Sequence, residues 1–210
     1  MSAYPEKSAM AICLASASPR RQELLGQIGL RFMLLPQDID ESRLPREAAP
    51  DYVRRMAGEK ALAGIQDVGR PAGLPVLAAD TTVVCNEAVL EKPQSQDDAV
   101  RMLQLLSGRS HEVLTAVALA SENSPRVQLA ISRTLVSFRN ISLAEAKAYW
   151  ETGEPADKAG AYGIQGMGAM FVSHIEGSYT NVVGLPLFET LQLLASLGIT
   201  GLSLLEGAAK

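Results

Sequence analysis

The sequence predicts a mixed α/β fold, and three observations carry that expectation. Apolar runs of strand length alternate with segments whose apolar residues recur at helical spacing. Two long β-like runs, 110–121 and 126–138, are joined only by the turn SENSP, so they read as antiparallel neighbours in an otherwise alternating chain. The chain of 210 residues is 47% hydrophobic and 5% aromatic, enough for one substantial core that is mainly aliphatic.

Residues 1–10 read as a flexible tail, 11–200 as a single domain and 201–210 as a frayed end. AICLAS (11–16) is a short buried strand. Ser18 suits a helix N-cap and Pro19 the first helical position, which needs no N–H. Leu24, Leu25 and Ile28 continue that helix until Gly29. RFMLLP (31–36) is a second strand, followed by the polar loop 37–50. Residues 51–66 form a helix with Val53, Ala57, Lys60 and Gly64 on one face. Gly58 weakens it by about 1 kcal/mol relative to Ala. LPVLAADTTVVC (74–85) is an apolar strand run interrupted by Asp80. A capped amphipathic helix follows at 95–108, then the two long strands, then a helix at 142–153 closed by Gly153. A glycine-rich loop (157–171) leads to a strand at 171–175, a turn at 176–178 and a last helix at 186–198.

Composition excludes several classes. A net charge of −4 and a pI near 5.3 give no bulk attraction to nucleic acid, so any anion site is local. Cys13 and Cys85 both lie in apolar β-like runs and read as buried free thiols of a cytoplasmic protein. His111 and His174 have no Cys or His at ligand spacing, so no structural zinc is expected. No apolar stretch approaches the roughly 20 residues of a membrane span. AMAICLASA ends in a small-x-small pattern like a signal cleavage site, but a first strand suits its short apolar run better. A homodimer is compatible with the sequence.

The chemistry-bearing residues are few. ASASPRRQELL places Arg20 and Arg21 in the first turn of a helix, where the dipole disfavours cations. A bound anion would turn that cost into a gain; a capped surface helix with two solvated arginines is the plainer reading. Asp80 puts a carboxylate inside an apolar strand, where it must be paired, hydrogen-bonded, metal-bound or turned to a cleft. Lys60 on its apolar stripe reads by default as a snorkelling lysine, and Lys92 in LEKP as a surface one. Glu41 shares a polar loop with Asp38 and Asp40, a run that is usually solvated but offers oxygens to a hard cation. AGAYGIQGMGA carries glycines at 160, 163, 166 and 168, either a plain loop or one open to close ligand approach. It is neither a Walker A nor a Rossmann motif. Gln165 in its midst can donate and accept at once, which matches the C=O and N3–H of uracil or thymine. Together, Arg20, Arg21, Lys60 and Lys92 would neutralise a polyphosphate, while Glu41 and Asp80 would hold Mg²⁺ or Mn²⁺ and activate water.

LASASPRRQELL, GEKA, AADTTVV, LEKP, LSGRSHEVLTAVAL and DKAGAYGIQGMGAMFVSHIEGSYTNVVGLP occur in this order between about Ile12 and Leu194. This ordered set resembles the Maf family of nucleoside triphosphate pyrophosphatases. The resemblance implies a mixed sheet with two lobes around a cleft, like the inosine triphosphate pyrophosphatases. It implies hydrolysis of a nucleoside triphosphate to monophosphate and pyrophosphate with a divalent metal (Mg²⁺ or Mn²⁺, with Co²⁺ as an alternative). On this resemblance Asp80 is catalytic, Ser18, Arg21, Lys60 and Lys92 bind phosphate, and Glu41 stands with Asp80 at the metal. Arg20, Thr81 and Gln165 match the specificity positions of the dTTP/UTP branch. A role in halting septum formation is also implied. The alternatives are a non-catalytic nucleotide-binding regulator and an enzyme mainly for modified nucleotides such as 5-methyl-UTP or pseudo-UTP. Two departures stand out: the turn at Asn86 lacks the following Gly, so a different hairpin shape is expected at 86–88, and Gly58 lies inside a helix.

Overall fold

The computed structural model describes residues 11–122, 124 and 126–208. The expected tail at 1–10 and two residues of the SENSP turn lie outside the described residues. In chain order the elements are β1 (Ile12–Leu14), α1 (Pro19–Gln27), β2 (Phe32–Leu34), α2 (Ala49–Gln66), β3 (Val76–Cys85), β4 (Ala88–Leu90) and α3 (Gln96–Leu106). Then come β5 (Ser110–Ala120), β6 (Gln128–Phe138), α4 (Leu143–Glu151), β7 (Val172–Glu176), α5 (Tyr179–Val183), α6 (Leu187–Ala195) and α7 (Gly201–Ala208). The strands form one mixed sheet in the order β2-β1-β3-β5-β6-β7, with β4 also on β3. β1 pairs in parallel with β2 and β3, and every later pairing is antiparallel.

Strand alternation splits the core across the two faces of this sheet. Leu77, Ala79, Val83 and Cys85 of β3 pack with Leu24 and Leu25 of α1, Leu103 and Leu106 of α3 and Leu194 of α6. Val76 and Ala78 face the other way, onto Val53, Met56, Ala57 and Ala61 of α2. Gly64 lets α2 sit close, because a Cβ there would stand 2.8 Å from Val76 Cγ1. The free thiols of Cys13 and Cys85 are both buried.

One feature of the pairing positions the site. On one edge of β3, β1 pairs only as far as Leu77, and β4 begins only at Val83. Residues 78–82 keep β5 on the other edge but have no strand on this one. The carbonyls of Pro75 and Leu77 point to β1, so by alternation the backbone groups of Ala79 and Thr81 face the gap. The chain leaves β1 at the mouth of this gap and enters α1. That is the crevice beyond the strand ends where open α/β sheets bind ligands.

Several expectations change. The 201–210 end is not simply frayed: Gly201–Ala208 form α7, and Leu204 packs against the core. The short helix α5 lies between the expected turn at 176–178 and the last helix, in a stretch for which the sequence predicts no element; Ser178 caps it, accepting from the Asn181 N–H. The 157–171 loop is a set of 3₁₀ turns, Glu154–Asp157, Ala159–Ala161 and Met167–Phe171. The β3–β4 hairpin keeps a tight two-residue turn despite its missing glycine. Asn86 and Glu87 both take positive φ (49° and 66°), so Glu87 adopts a left-handed conformation that costs about 1 kcal/mol.

Candidate active site

A cavity of about 1340 Å³ opens at the gap in the sheet, and Ser18, Arg20, Arg21, Glu41, Lys60, Asp80, Thr81, Lys92 and Gln165 all line it. Nine residues spread over 148 positions of chain are thereby brought to one place.

Its deepest part is a carboxylate–ammonium–carboxylate cluster. Asp80 lies on the α2 face of β3, in the segment without an edge partner. Lys60 reaches it from α2, with Nζ 2.8 Å from Asp80 Oδ1 and 2.8 Å from Glu41 Oε1. Lys60 and Asp80 are only 8% and 7% exposed, so the snorkelling default for Lys60 is wrong. Its position on the apolar stripe carries it to Asp80, because that stripe faces β3. Burial pushes the Asp80 carboxyl above its ordinary range, against the pull of Lys60 and Arg21. For the half-exposed Glu41, burial also pushes upward, but Lys60, Lys92 and Arg21 together outweigh it and hold the carboxyl low.

Glu41 sits in an irregular loop, and α2 fixes that loop. Tyr52 donates its hydroxyl to the Glu41 carbonyl at 2.9 Å. Arg55 donates to the Ser42 carbonyl at 3.0 Å and forks onto both oxygens of Glu47 at 2.7 and 2.8 Å. That fork pulls the Glu47 carboxyl down to about 2. Tyr52, Arg55 and Glu47 were not legible as site residues, since a tyrosine and an arginine on a helix carry no sequence signal of what loop they grip.

Across the sheet, Thr81 faces away from α2. Its Oγ1 lies 2.9 Å from Thr115 Oγ1 and accepts from Arg21 at 3.2 Å. Arg21 also donates to the Gly184 carbonyl at 2.8 Å and to Ser16 Oγ at 3.0 Å. Three of its five N–H groups are thus committed to the protein, leaving two for a ligand. The guanidinium is a braced part of the wall, not a solvated side chain. Ser18 occupies the N-cap position of α1, but its side chain makes no capping bond. The expected side-chain cap is therefore absent; with Pro19 at the first position, Arg20 and Arg21 carry the free amides of the first turn.

The outer part is more open. Arg20 bridges from α1 to Asp157 at 3.1 Å. Gln165 is exposed at the apex of the glycine-rich segment, with no hydrogen bond to the described residues. Lys92, just beyond β4, is exposed as well. His111, in contrast, is a core residue edge-on to Phe138 and bonded to the Tyr162 hydroxyl at 2.8 Å; burial pushes its imidazole down to about 4.

Two carboxylates flank a buried lysine in a cleft that Arg20, Arg21 and Lys92 also line, at a switch point of a mixed sheet. Fold and site together define an α/β protein equipped to receive an anionic ligand. The chain belongs to the Maf-like protein family, whose model matches residues 11–197. It is 54% identical over 182 residues to a dTTP/UTP pyrophosphatase of Saccharophagus degradans, covering 86% of each chain. It is 52% identical to the dTTP/UTP pyrophosphatase of Hahella chejuensis, over 90% of this chain and 92% of that one. A relative of the same name from Methylococcus capsulatus is 50% identical over 94% and 96%. Among solved structures, the Staphylococcus aureus Ham1 protein overlays with a TM-score of 0.44 at 11% identity, covering 60% of this chain and 71% of that one. No helix among the described residues is long and apolar enough to cross a membrane.

Proposed function

We propose that this chain hydrolyses dTTP and UTP to the nucleoside monophosphate and pyrophosphate. The observation that carries the reading is the Glu41–Lys60–Asp80 cluster at the floor of a cleft lined by the other candidate residues. The names of relatives about 50% identical over nearly their whole length support the substrate class.

In this reading Asp80 takes a proton from a water that attacks the α-phosphorus. The bond between that phosphorus and the α,β-bridging oxygen breaks, and pyrophosphate leaves. Asp80 suits the task because burial raises its proton affinity, against the pull of Lys60. Lys60, Lys92 and the two free N–H groups of Arg21 neutralise the triphosphate, which is most of what phosphoryl-type transfer asks of a protein. Arg20, Thr81 and Gln165 read the nucleoside, with Thr81 acting through its bond to Arg21.

A hard divalent cation fits the donor set. Lys60 uses one oxygen of each carboxylate, and the second oxygens of Asp80 and Glu41 make no hydrogen bond to the described residues. Two carboxylates with substrate oxygens and water are the usual ligands of Mg²⁺. When bound, the metal would supply charge neutralisation at the phosphates.

A pyrophosphate-release screen tests the reading, with Mg²⁺, Mn²⁺ or Co²⁺ and natural or modified triphosphates, including 5-methyl-UTP and pseudo-UTP. Release is expected from dTTP and UTP, and chelation should abolish it. No release from any triphosphate would leave a nucleotide-binding regulator as the better reading.

A further inference from the structure

Behind Gln165, the glycine-rich segment is folded around one carboxylate. Glu154 Oε1 accepts from the Tyr149 hydroxyl at 2.7 Å and the Gly168 N–H at 3.1 Å, and its Oε2 accepts from the Met167 N–H at 2.8 Å. The Tyr149 hydroxyl in turn accepts from the Gly163 N–H at 3.1 Å. Residues 163, 167 and 168 are thus tied to one Glu–Tyr pair, and Gln165 carries an exposed polar side chain between the ties.

The glycines fit that arrangement. A Cβ at Gly163 would stand 3.0 Å from Glu154 Oε1, and one at Gly168 would stand 2.5 Å from the Tyr149 hydroxyl. A Cβ at Gly166 would run into the Glu154 carboxylate itself. Gly166 thus makes room for the carboxylate itself, Gly168 for the Tyr149 hydroxyl that donates to it, and Gly163 for Glu154 together with the Lys158 side chain, whose Cε is nearer still at 2.7 Å. The same turn holds a second of the three candidate specificity residues: Asp157 receives Arg20, and Lys158 locks the turn by donating to the Glu154 carbonyl at 2.7 Å and to Asp157 Oδ1 at 2.6 Å.

We propose that Glu154 is a positioning residue for base selection, fixing where Gln165 presents its amide. The inference rests on the reading of Gln165 as a base-reading residue. Glu154 touches no reacting atom, and its effect passes through the backbone of 163–168. Its replacement therefore changes recognition of the base and leaves the Asp80 end of the cleft alone.

A double-mutant cycle on the full chain tests this, with kcat and KM for UTP, dTTP and ATP in the wild type, Glu154→Gln, Gln165→Ala and the double variant. Glu154→Gln keeps the size of the side chain but turns an amide towards backbone N–H donors. It is expected to raise the UTP KM about tenfold and lower the UTP-over-ATP preference, with saturated kcat within about threefold of wild type. Gln165→Ala alone should lose the same preference, and the double variant should lose little more. Losses of preference that multiply in the double variant would overturn the proposal, as would an unchanged preference in Glu154→Gln beside a lost one in Gln165→Ala. An unchanged preference in Gln165→Ala would instead overturn the base-reading role of Gln165, and the proposal with it. If Glu154→Gln gives no folded protein, Tyr149→Phe carries the test by removing one donor to Glu154 and the acceptor of the Gly163 N–H. A UTP KM raised about threefold at unchanged kcat is then expected, and an unchanged KM overturns the proposal.

Discussion

Lys60 and Lys92 line one cavity, yet Lys60 is 8% exposed and gripped by two carboxylates, while Lys92 is exposed and pairs with no described residue. The same contrast runs through the two walls. On the α2 side, Lys60 sits between Asp80 and Glu41 and bonds to both, and Tyr52 and Arg55 from the same helix brace the Glu41 loop. On the other side, Gln165 is exposed and Arg20 is partly so, and they are held by backbone ties to Glu154 and an ion pair to Asp157. The buried wall must keep charges poised in a low dielectric, so each charge has a partner at hand. The open wall has only to present donors and acceptors to a base, and an exposed side chain on a fixed backbone does that.

If the α2 wall carries the chemistry, the largest effect belongs to Asp80. Asp80→Asn keeps the side-chain volume and leaves Lys60 paired to Glu41, so the fold should survive. Turnover of UTP should fall by about 10² to 10⁴, the usual worth of a positioned general base. Circular dichroism and pyrophosphate release check the two halves. Turnover near that of the wild type would move the chemistry away from this wall.

Lys60→Met is the next probe, and pH is its readout. Burial raises Asp80, and Lys60 works against that rise. A base acts when ionised, so activity is lost as pH falls through the Asp80 pKa. Removing the Lys60 charge raises that pKa further, and the acid limb of the kcat/KM profile should move to higher pH. The loss of one partner from a buried cluster should also destabilise the fold by about 3 kcal/mol. An acid limb that stays in place would mean that Asp80 is not the group that titrates.

How much of this was legible in the sequence depends on what carried the signal. Strands, helices and the mixed sheet followed from period and turn length. Asp80 announced itself, because a carboxylate in VLAADTTVV needs a partner or a cleft. Lys60 was visible, but a helical stripe says only that a lysine faces the core and not what waits there. The gap between β1 and β4 was hidden, because strand pairing is non-local. The glycines of 163–168 were visible, as either a plain loop or one open to a ligand, but not the Glu154–Tyr149 pair and the Lys158 side chain for which they make room. A carboxylate between Gly153 and Pro155 carries no local mark of three donors, Tyr149, Met167 and Gly168, that lie up to 14 residues away.

The smallest effect concerns α2 itself, the helix that bears Lys60, Tyr52 and Arg55. Gly58 lies in its interior, with nothing within 4 Å of where a Cβ would be. Neither a clash nor a positive φ requires glycine there. Gly58→Ala should therefore stabilise the protein by about 0.5–1 kcal/mol, which for a chain of this size raises Tm by about 1–4 °C. The gain comes from the unfolded chain and from helix propensity, so it needs no new contact. If the buried wall works because its charges are held still, turnover should not change. A higher Tm with slower turnover would show that α2 has to yield during the reaction, and the contrast between a fixed reacting wall and an open reading wall would then be one of timing as well as of burial.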